Sequence, residues 1–246
     1  MPLSSYLLHL GDDALILGHR NSEWCGHGPV LEQDIALTNI ALDLIGQARM
    51  FYQYAAEVVG EGATEDSLAY LRDVYDYRNC LLVEQPNGDW AHTTLRQFLF
   101  SAYQYELYKA MRESRDEQLS AIAARSLKEV TYHLRWSGEW VVRMGDGTEE
   151  SRKRVLNALD TLWMYTGELF RPAPYEEVLE GVSVAVDNLE GSWMEHIRRV
   201  FDEAGLTVPL TPAFQAGGKT GAHSEHLGYI LTELQFMQRA YPGCTW

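Results

Sequence analysis

Lys128-Glu129-Val130-Thr131-Tyr132-His133 lies within a stretch whose small and apolar residues recur at helical spacing. The recurring positions are Leu119, Ile122, Ala123, Ser126, Val130, Leu134, Val141 and Met144. This 3.6-residue period predicts a long helix over about Glu117–Met144 with one buried face. His133 lies on or beside that face, so an ionisable ring is expected at the edge of a helical core.

A metal site at this helix would need more ligands than the helix supplies. Helical di-iron carboxylate proteins place a Glu three residues before such a His, so that both side chains reach one metal pair inside a bundle. Here that position is Val130, which cannot bind a metal. Glu129 shares a face with His133 at i, i+4, but such pairs are also common on helix surfaces. This stretch is therefore compatible with two kinds of protein: a metal-dependent catalyst, or a structural protein that shares the fold of such a catalyst.

The same period recurs along the chain, and Gly and Pro residues separate the segments. It predicts helices over about Ser4–Cys25, Leu31–Val59, Asp66–Glu84, Thr93–Glu113, Glu149 to just before Arg171, Leu189–Ala204 and Gly221–Ala240, with a loop over Gly205–Gly218. Strand-like alternation is nearly absent, and no repeat or linker is visible. Long helices joined by short loops predict an all-α antiparallel bundle with additional helices, in a single domain over residues 1–246.

Composition narrows the classes of function. The chain has 246 residues, 46% of them hydrophobic and 22% charged, with a net charge of −15. This charge argues against nucleic acid and anionic membrane surfaces, because phosphate binding needs clustered Lys and Arg. No signal peptide or apolar run long enough for a membrane span is expected. The three cysteines are far apart, which favours a reduced, cytoplasmic protein.

Two further groups of ionisable residues are candidates for function. His223-Ser224-Glu225-His226 opens the last predicted helix, directly after a glycine-containing segment. These residues can cap the helix or pack in an interface, contact the active site of a partner, or bind a metal. Glu23, one turn from His19, is interpreted by itself as a surface carboxylate. Motifs of nucleotide-binding proteins, α/β-hydrolases and zinc proteases are absent from the sequence.

Several longer strings carry a family resemblance. They are SEWCGH at 22–27, ALDLIGQARM at 41–50, LLVEQPNGDW at 81–90 and GGKTGAHSEHLG at 217–228, with Pro242-Gly243 and the terminal Trp246. With them the chain resembles, over its whole length, the C subunits of the bacterial phenylacetyl-CoA 1,2-epoxidases (ring-1,2 monooxygenases). The resemblance implies a ferritin-like fold. It also implies a related A subunit that carries a di-iron centre, and a reductase that supplies electrons.

The resemblance also allows the metal positions of the A subunit to be placed on this sequence. They fall on Glu23, Leu44, Gln47, Ser101, Val130 and His133. Only Glu23 and His133 keep a residue that binds iron in that family. Two iron ions need about four carboxylates to balance their charge and bridge them, and these positions cannot supply them. The positions are therefore expected to be vestigial, with no cofactor in this chain.

The combined expectation is a non-catalytic structural subunit that supports a di-iron A subunit in phenylacetate degradation. Isolated chains are also expected to be capable of self-association. Candidate partner contacts are His223, Glu225, His226 and Trp246. Two alternatives remain open: a metal site rebuilt from Asp43, Glu129, His133 and His226, and a homodimer that binds an acyl-CoA.

Overall fold

The structure, a computed structural model, describes residues 1–210 and 214–244, and within them every regular element is helical. The α-helices are α1 (Pro2–Ser22), α2 (Leu31–Val59), α3 (Glu65–Tyr70), α4 (Leu81–Glu84), α5 (Trp90–Met111), α6 (Glu117–Gly145), α7 (Glu149–Leu162), α8 (Pro174–Glu177), α9 (Glu190–Glu203), α10 (Glu225–Leu234) and α11 (Phe236–Ala240). Short 3₁₀ segments are Val74–Asp76, Trp163–Phe170, Val186–Leu189 and Gly218–Thr220. The predicted all-α class is confirmed. Within the described ranges no helix is long and apolar enough to cross a bilayer.

The chain divides into two compact units. The first joins Met1–Pro86 to the C-terminal stretch that begins at Ala216, and the second is Asn87–Gln215. The prediction of one domain over residues 1–246 stays a prediction, and each unit is described by itself below.

In the first unit, the long helices α1 and α2 pack along each other. Nearly all of α1 from Tyr6 to Gly18 is buried, including three ionisable residues. The buried residues of α2 lie between Ala36 and Ala55. The bounds of the helix match the prediction, because Pro29 precedes it and Gly60 ends it with a φ of 70°.

The predicted helix over Asp66–Glu84 is wrong. The chain forms α3, then the 3₁₀ segment Val74–Asp76, then α4. The backbone N–H groups of Arg78 and Cys80 donate to buried carboxylates of α1, at 2.7 Å each, and so do not enter a helical ladder. A tertiary interaction therefore replaced the local helical preference.

In the second unit, α5 and α6 pack together, and α7 and α9 contact both. Side chains fix the starts of three of these helices: Asp89 accepts from the N–H of His92, Asp116 from that of Leu119, and Thr148 from that of Ser151. The predicted helix after Glu149 continues beyond Leu162 only as a 3₁₀ segment, and the short α8 was not predicted.

Candidate functional site

Three of the family's metal positions lie in the first unit. Glu23 follows α1 and is partly exposed, with an ion pair to Arg20 at 3.0 Å. Leu44 is fully buried in α2, where its Cβ packs beside Gly18 of α1. Gln47, one turn further along, is also fully buried. The structure therefore places a surface carboxylate, an aliphatic side chain and a neutral amide at these positions.

The other three positions lie in the second unit, and all of them are fully buried. Ser101 of α5 accepts a hydrogen bond from the amide of Gln97 at 2.8 Å. On α6, Val130 faces the core and His133 lies nearly one turn later, beside the half-buried Glu129. One imidazole is therefore the only group among these three positions that ordinarily binds iron.

The donor set does not fit a di-iron centre. Two aliphatic side chains, an amide and a hydroxyl occupy four of the six positions, and none of them can supply bridging carboxylate charge. Within residues 1–210 and 214–244, no three His, Cys, Asp or Glu side chains are grouped so that they could hold a metal ion. Asp43 and His226, two residues of the rebuilt-site alternative, belong to no such group.

The buried ionisable residues of the first unit instead form a hydrogen-bonded network. Asp12 of α1 accepts from the hydroxyl of Tyr52 at 2.6 Å and from the backbone N–H of Arg78 at 2.7 Å. Both terminal nitrogens of Arg72 also donate to this carboxylate. Burial and the Asp12 charge raise the pKa of Tyr52 well above its usual range. Because both partners carry charge and are nearly inaccessible, this is a buried bidentate ion pair.

Asp13, the next residue, binds a different part of the same segment. Its Oδ1 accepts from the N–H of Cys80 at 2.7 Å, and its Oδ2 lies 3.6 Å from His9 Nε2. His9 in turn donates from Nδ1 to the carbonyl oxygen of Arg78 at 2.8 Å. Burial raises the pKa of Asp13 above its usual value. Adjacent carboxylates of one helix thus both anchor the chain that follows α3.

Glu84, at the end of α4, is the third buried carboxylate of the first unit. It accepts from Asn79 at 2.8 Å, from His223 Nδ1 at 2.8 Å and from the N–H of Ser224 at 2.7 Å. The other ring nitrogen of His223 donates to the carbonyl oxygen of Tyr77 at 3.0 Å. Burial lowers the pKa of His223, but the hydrogen bond and charge of Glu84 outweigh burial and raise it above the usual value. Both ring nitrogens face acceptors, and this arrangement favours the protonated ring.

This pairing determines where the predicted partner-contact residues lie. The His223 side chain is only 1% exposed, whereas Glu225 is exposed and His226 is half-buried in the first turn of α10. Gly218 lies so close to residue 79 that a Cβ would collide with the carbonyl oxygen of Asn79. The segment is thus packed onto the 75–84 stretch, and His223 is engaged inside the chain. Trp246 lies outside the described residues, and contact with a partner stays a prediction.

Sequence reasoning did not identify this network as a unit. One signal was present: the apolar run Leu3–Leu17 is interrupted by His9, Asp12 and Asp13. Ionisable residues inside an otherwise buried helix require partners, since an unpaired buried charge is costly. Nothing in the sequence showed that those partners are Tyr52 and residues 72–84. The hydrogen bonds and ion pairs of this network join α1, the 72–84 stretch and the 217–224 stretch. The network therefore stabilises the fold of the first unit.

The helical architecture and the sequence strings together define the class of protein. The family model described as phenylacetic acid catabolic protein matches residues 1–246, so the chain is a member of that family.

A curated relative gives a finer comparison. The chain is 47% identical over 246 residues to the C subunit of the 1,2-phenylacetyl-CoA epoxidase of Escherichia coli (strain K12), with 99% of each chain covered. The resemblance drawn from the sequence strings is confirmed, and with the all-helical structure so is the ferritin-like helical fold class.

Proposed function

We propose that this chain is a non-catalytic subunit of a phenylacetyl-CoA epoxidase, in which it supports a di-iron A subunit during aerobic phenylacetate degradation. The observation that carries the proposal is the pair of fully buried aliphatic residues, Leu44 and Val130, at two of the metal positions. An aliphatic side chain offers no lone pair to a metal and fills space that a metal ion would occupy.

The extent of the similarity supports the same assignment. The Escherichia coli relative is matched over 99% of both chains, so the similarity is not confined to a single helix or motif. In the proposed complex the A subunit binds iron, a reductase supplies electrons, and this chain binds neither. The complex acts in the cytoplasm, and the isolated chain associates with itself.

Iron analysis of the isolated chain tests the proposal. After expression in iron-replete medium and mild chelation, elemental analysis should find no stoichiometric iron. A Leu44→Ala variant provides a matched control, because it opens space at the position without adding a ligand and should also bind none. About two tightly held iron ions per wild-type chain would contradict the proposal.

A further inference from the structure

An open crevice of about 520 Å³ lies on the second unit, where α6 and α9 pack side by side. Its floor includes four buried, apolar residues: Phe98, Leu134, Gly138 and Val200. The ionisable side chains that line it are those of Arg135, Glu139, Arg143, His196, Arg199 and Glu203. Small-molecule sites commonly have a volume of this order, an apolar floor and a few polar groups. The crevice therefore has the general form of a ligand site.

Two arginines of α6 are oriented at this crevice by aromatic rings. The Cζ of Arg135 lies 5.6 Å from the ring centroid of Tyr132. The Cζ of Arg143 lies 5.4 Å from that of Trp140, again three residues earlier in the helix. Among the described residues neither guanidinium has a carboxylate oxygen within 4.0 Å, although Glu139 is one turn from both. A ring holds a guanidinium in place without neutralising it, so its N–H groups stay available to a planar anion.

The third arginine, Arg199 of α9, is held by a chain of hydrogen bonds. Its guanidinium donates to Nδ1 of His196 at 3.3 Å, so that nitrogen is an acceptor and the ring proton lies on Nε2. Nε2 donates to Glu106 at 2.9 Å, and Lys109 donates to the other oxygen of this carboxylate at 3.2 Å. Glu106 is buried, so the chain of contacts begins at a fixed group. It positions Arg199, whose charge no carboxylate of the described residues neutralises.

Gly138 adds an independent observation at the floor of the crevice. A methyl group placed on it would meet Val200 at 3.4 Å and Phe98 at 3.5 Å, which are ordinary van der Waals distances. Alanine would therefore fit this position, and it would favour the helix, because glycine weakens a helix interior. Internal packing gives no reason for glycine here. The missing side chain instead deepens the crevice, so that a flat group can lie close to the backbone of α6.

We propose that this crevice binds the adenosine diphosphate group of a nucleotide. The three guanidinium groups donate to the two phosphates, since arginine matches the geometry of phosphate oxygens. Glu139 and Glu203 accept from the ribose hydroxyls, as an acidic residue does in dinucleotide sites. The planar base lies on the apolar floor beside Tyr105.

The mixture of groups in the crevice favours a nucleotide over a simple anion. Inorganic phosphate would be attracted by the arginines but repelled by the two carboxylates, and it would leave the apolar floor uncovered. A nucleotide offers a partner to all three kinds of group. Coenzyme A and NADPH both contain adenosine diphosphate, with a further phosphate at the 3′ or the 2′ position of the ribose. The proposal does not depend on the absence of iron, so it can fail while the proposed function holds.

Isothermal titration calorimetry of the whole chain with ADP, at low salt, tests the proposal. One ADP should bind per chain with a dissociation constant of about 10–100 µM. Adenosine and inorganic diphosphate should each bind about 10-fold more weakly or less, because each lacks half of the contacts. Diphosphate that binds as tightly as ADP would indicate an adventitious ion only and overturn the proposal, as would the absence of saturable ADP binding.

Titrations with coenzyme A and with NADPH distinguish the two sources of the group. Both should bind at least as tightly as ADP. The tighter of the two identifies the recognised ribose phosphate, and equal affinities confine recognition to the shared adenosine diphosphate. If neither binds, the crevice does not accept the group as it occurs in these larger molecules, and the proposal is overturned.

Substitution of the arginines locates the binding. Arg135→Gln and Arg143→Gln should each weaken ADP binding by about 10-fold, because each removes a charge-assisted contact with phosphate. Arg125→Gln is the matched control, since Arg125 is exposed on the same helix but does not line the crevice. It should bind ADP like the wild type. Circular dichroism verifies that each variant is folded.

Two glycine variants separate a loss of binding from a loss of stability. Gly138→Ala should raise the melting temperature of the free chain yet weaken ADP binding by about 3-fold or more, because the methyl group fills part of the floor. Gly191→Ala in α9, where a methyl group meets nothing within 4 Å, should raise the melting temperature and leave ADP binding unchanged. Equal affinity for ADP in the wild type, Arg135→Gln and Arg143→Gln would place the nucleotide elsewhere and overturn the assignment of the crevice.

Discussion

Replacement of Glu84 by Gln tests how much the contacts between the buried network and the 217–224 stretch stabilise the first unit. The carboxylate accepts three hydrogen bonds, from Asn79, His223 and the backbone of Ser224. A Gln side chain keeps one acceptor oxygen, which can still serve Ser224. Its amide group then faces the donors of Asn79 and His223, so two donors lose their acceptor.

The expected loss follows from those two contacts. A hydrogen bond to a charged group contributes about 1.5–3 kcal/mol, and a buried donor left without an acceptor adds about 1–3 kcal/mol. Because the loss of one contact lets the other relax, the combined effect should be about 3 kcal/mol of unfolding free energy. Urea titration followed by circular dichroism measures it.

The pH dependence of the destabilisation by Glu84→Gln distinguishes the loss of an ion pair from a change in packing. The pKa of His223 is raised above its unfolded value of about 6.5. Its charge therefore contributes stability that is fully present below the unfolded pKa and is lost as the pH rises through the folded pKa. The destabilisation by Glu84→Gln should be largest at about pH 6 and smaller at about pH 9.

A second substitution provides the control. Glu65→Gln removes a carboxylate from the pair with Arg49, whose side chain is 66% exposed, and should change the unfolding free energy by roughly 0–1 kcal/mol. If Glu84→Gln is no more harmful than Glu65→Gln, or if its effect does not vary with pH, the reasoning about the buried pair is refuted.

Further substitutions give different expected results. Asp13→Asn should destabilise less than Glu84→Gln, because it keeps the acceptor for Cys80 and removes a carboxyl whose charged form is disfavoured by burial. An equal loss of unfolding free energy in urea titration would contradict this. Val130→Glu should lower stability by about 3–5 kcal/mol and create no oxygenase activity, since it buries an unpaired charge; a stable, iron-binding variant would show the opposite.

The fold was most predictable where local and tertiary preferences agree. The bounds of α2 follow from an uninterrupted apolar period between Pro29 and Gly60, and α6 follows from Asp116 and a period of equal quality. The stretch 66–84 has an equally helical pattern, but buried carboxylates of α1 bind its backbone. Those partners are more than sixty residues away, so no local pattern could reveal them.

Some features of the candidate site could likewise be predicted from the sequence, and others could not. The absence of iron ligands at Leu44 and Val130 was visible in the sequence once the family positions were placed on it. The role of His223 was not visible in the sequence, because its carboxylate partner, Glu84, lies 139 residues earlier in the chain.

The most direct test of the proposed role is an epoxidation assay with and without this chain. The A subunit is expressed alone and together with this chain, supplied with the reductase, NADPH, O₂ and phenylacetyl-CoA, and the epoxide is quantified. The account predicts little or no product from the A subunit alone and restored activity when this chain is present. It also predicts that His133→Ala, once shown to be folded and bound, supports the same rate per complex. Full activity of the A subunit alone, or epoxide formation by this chain without it, would contradict the account.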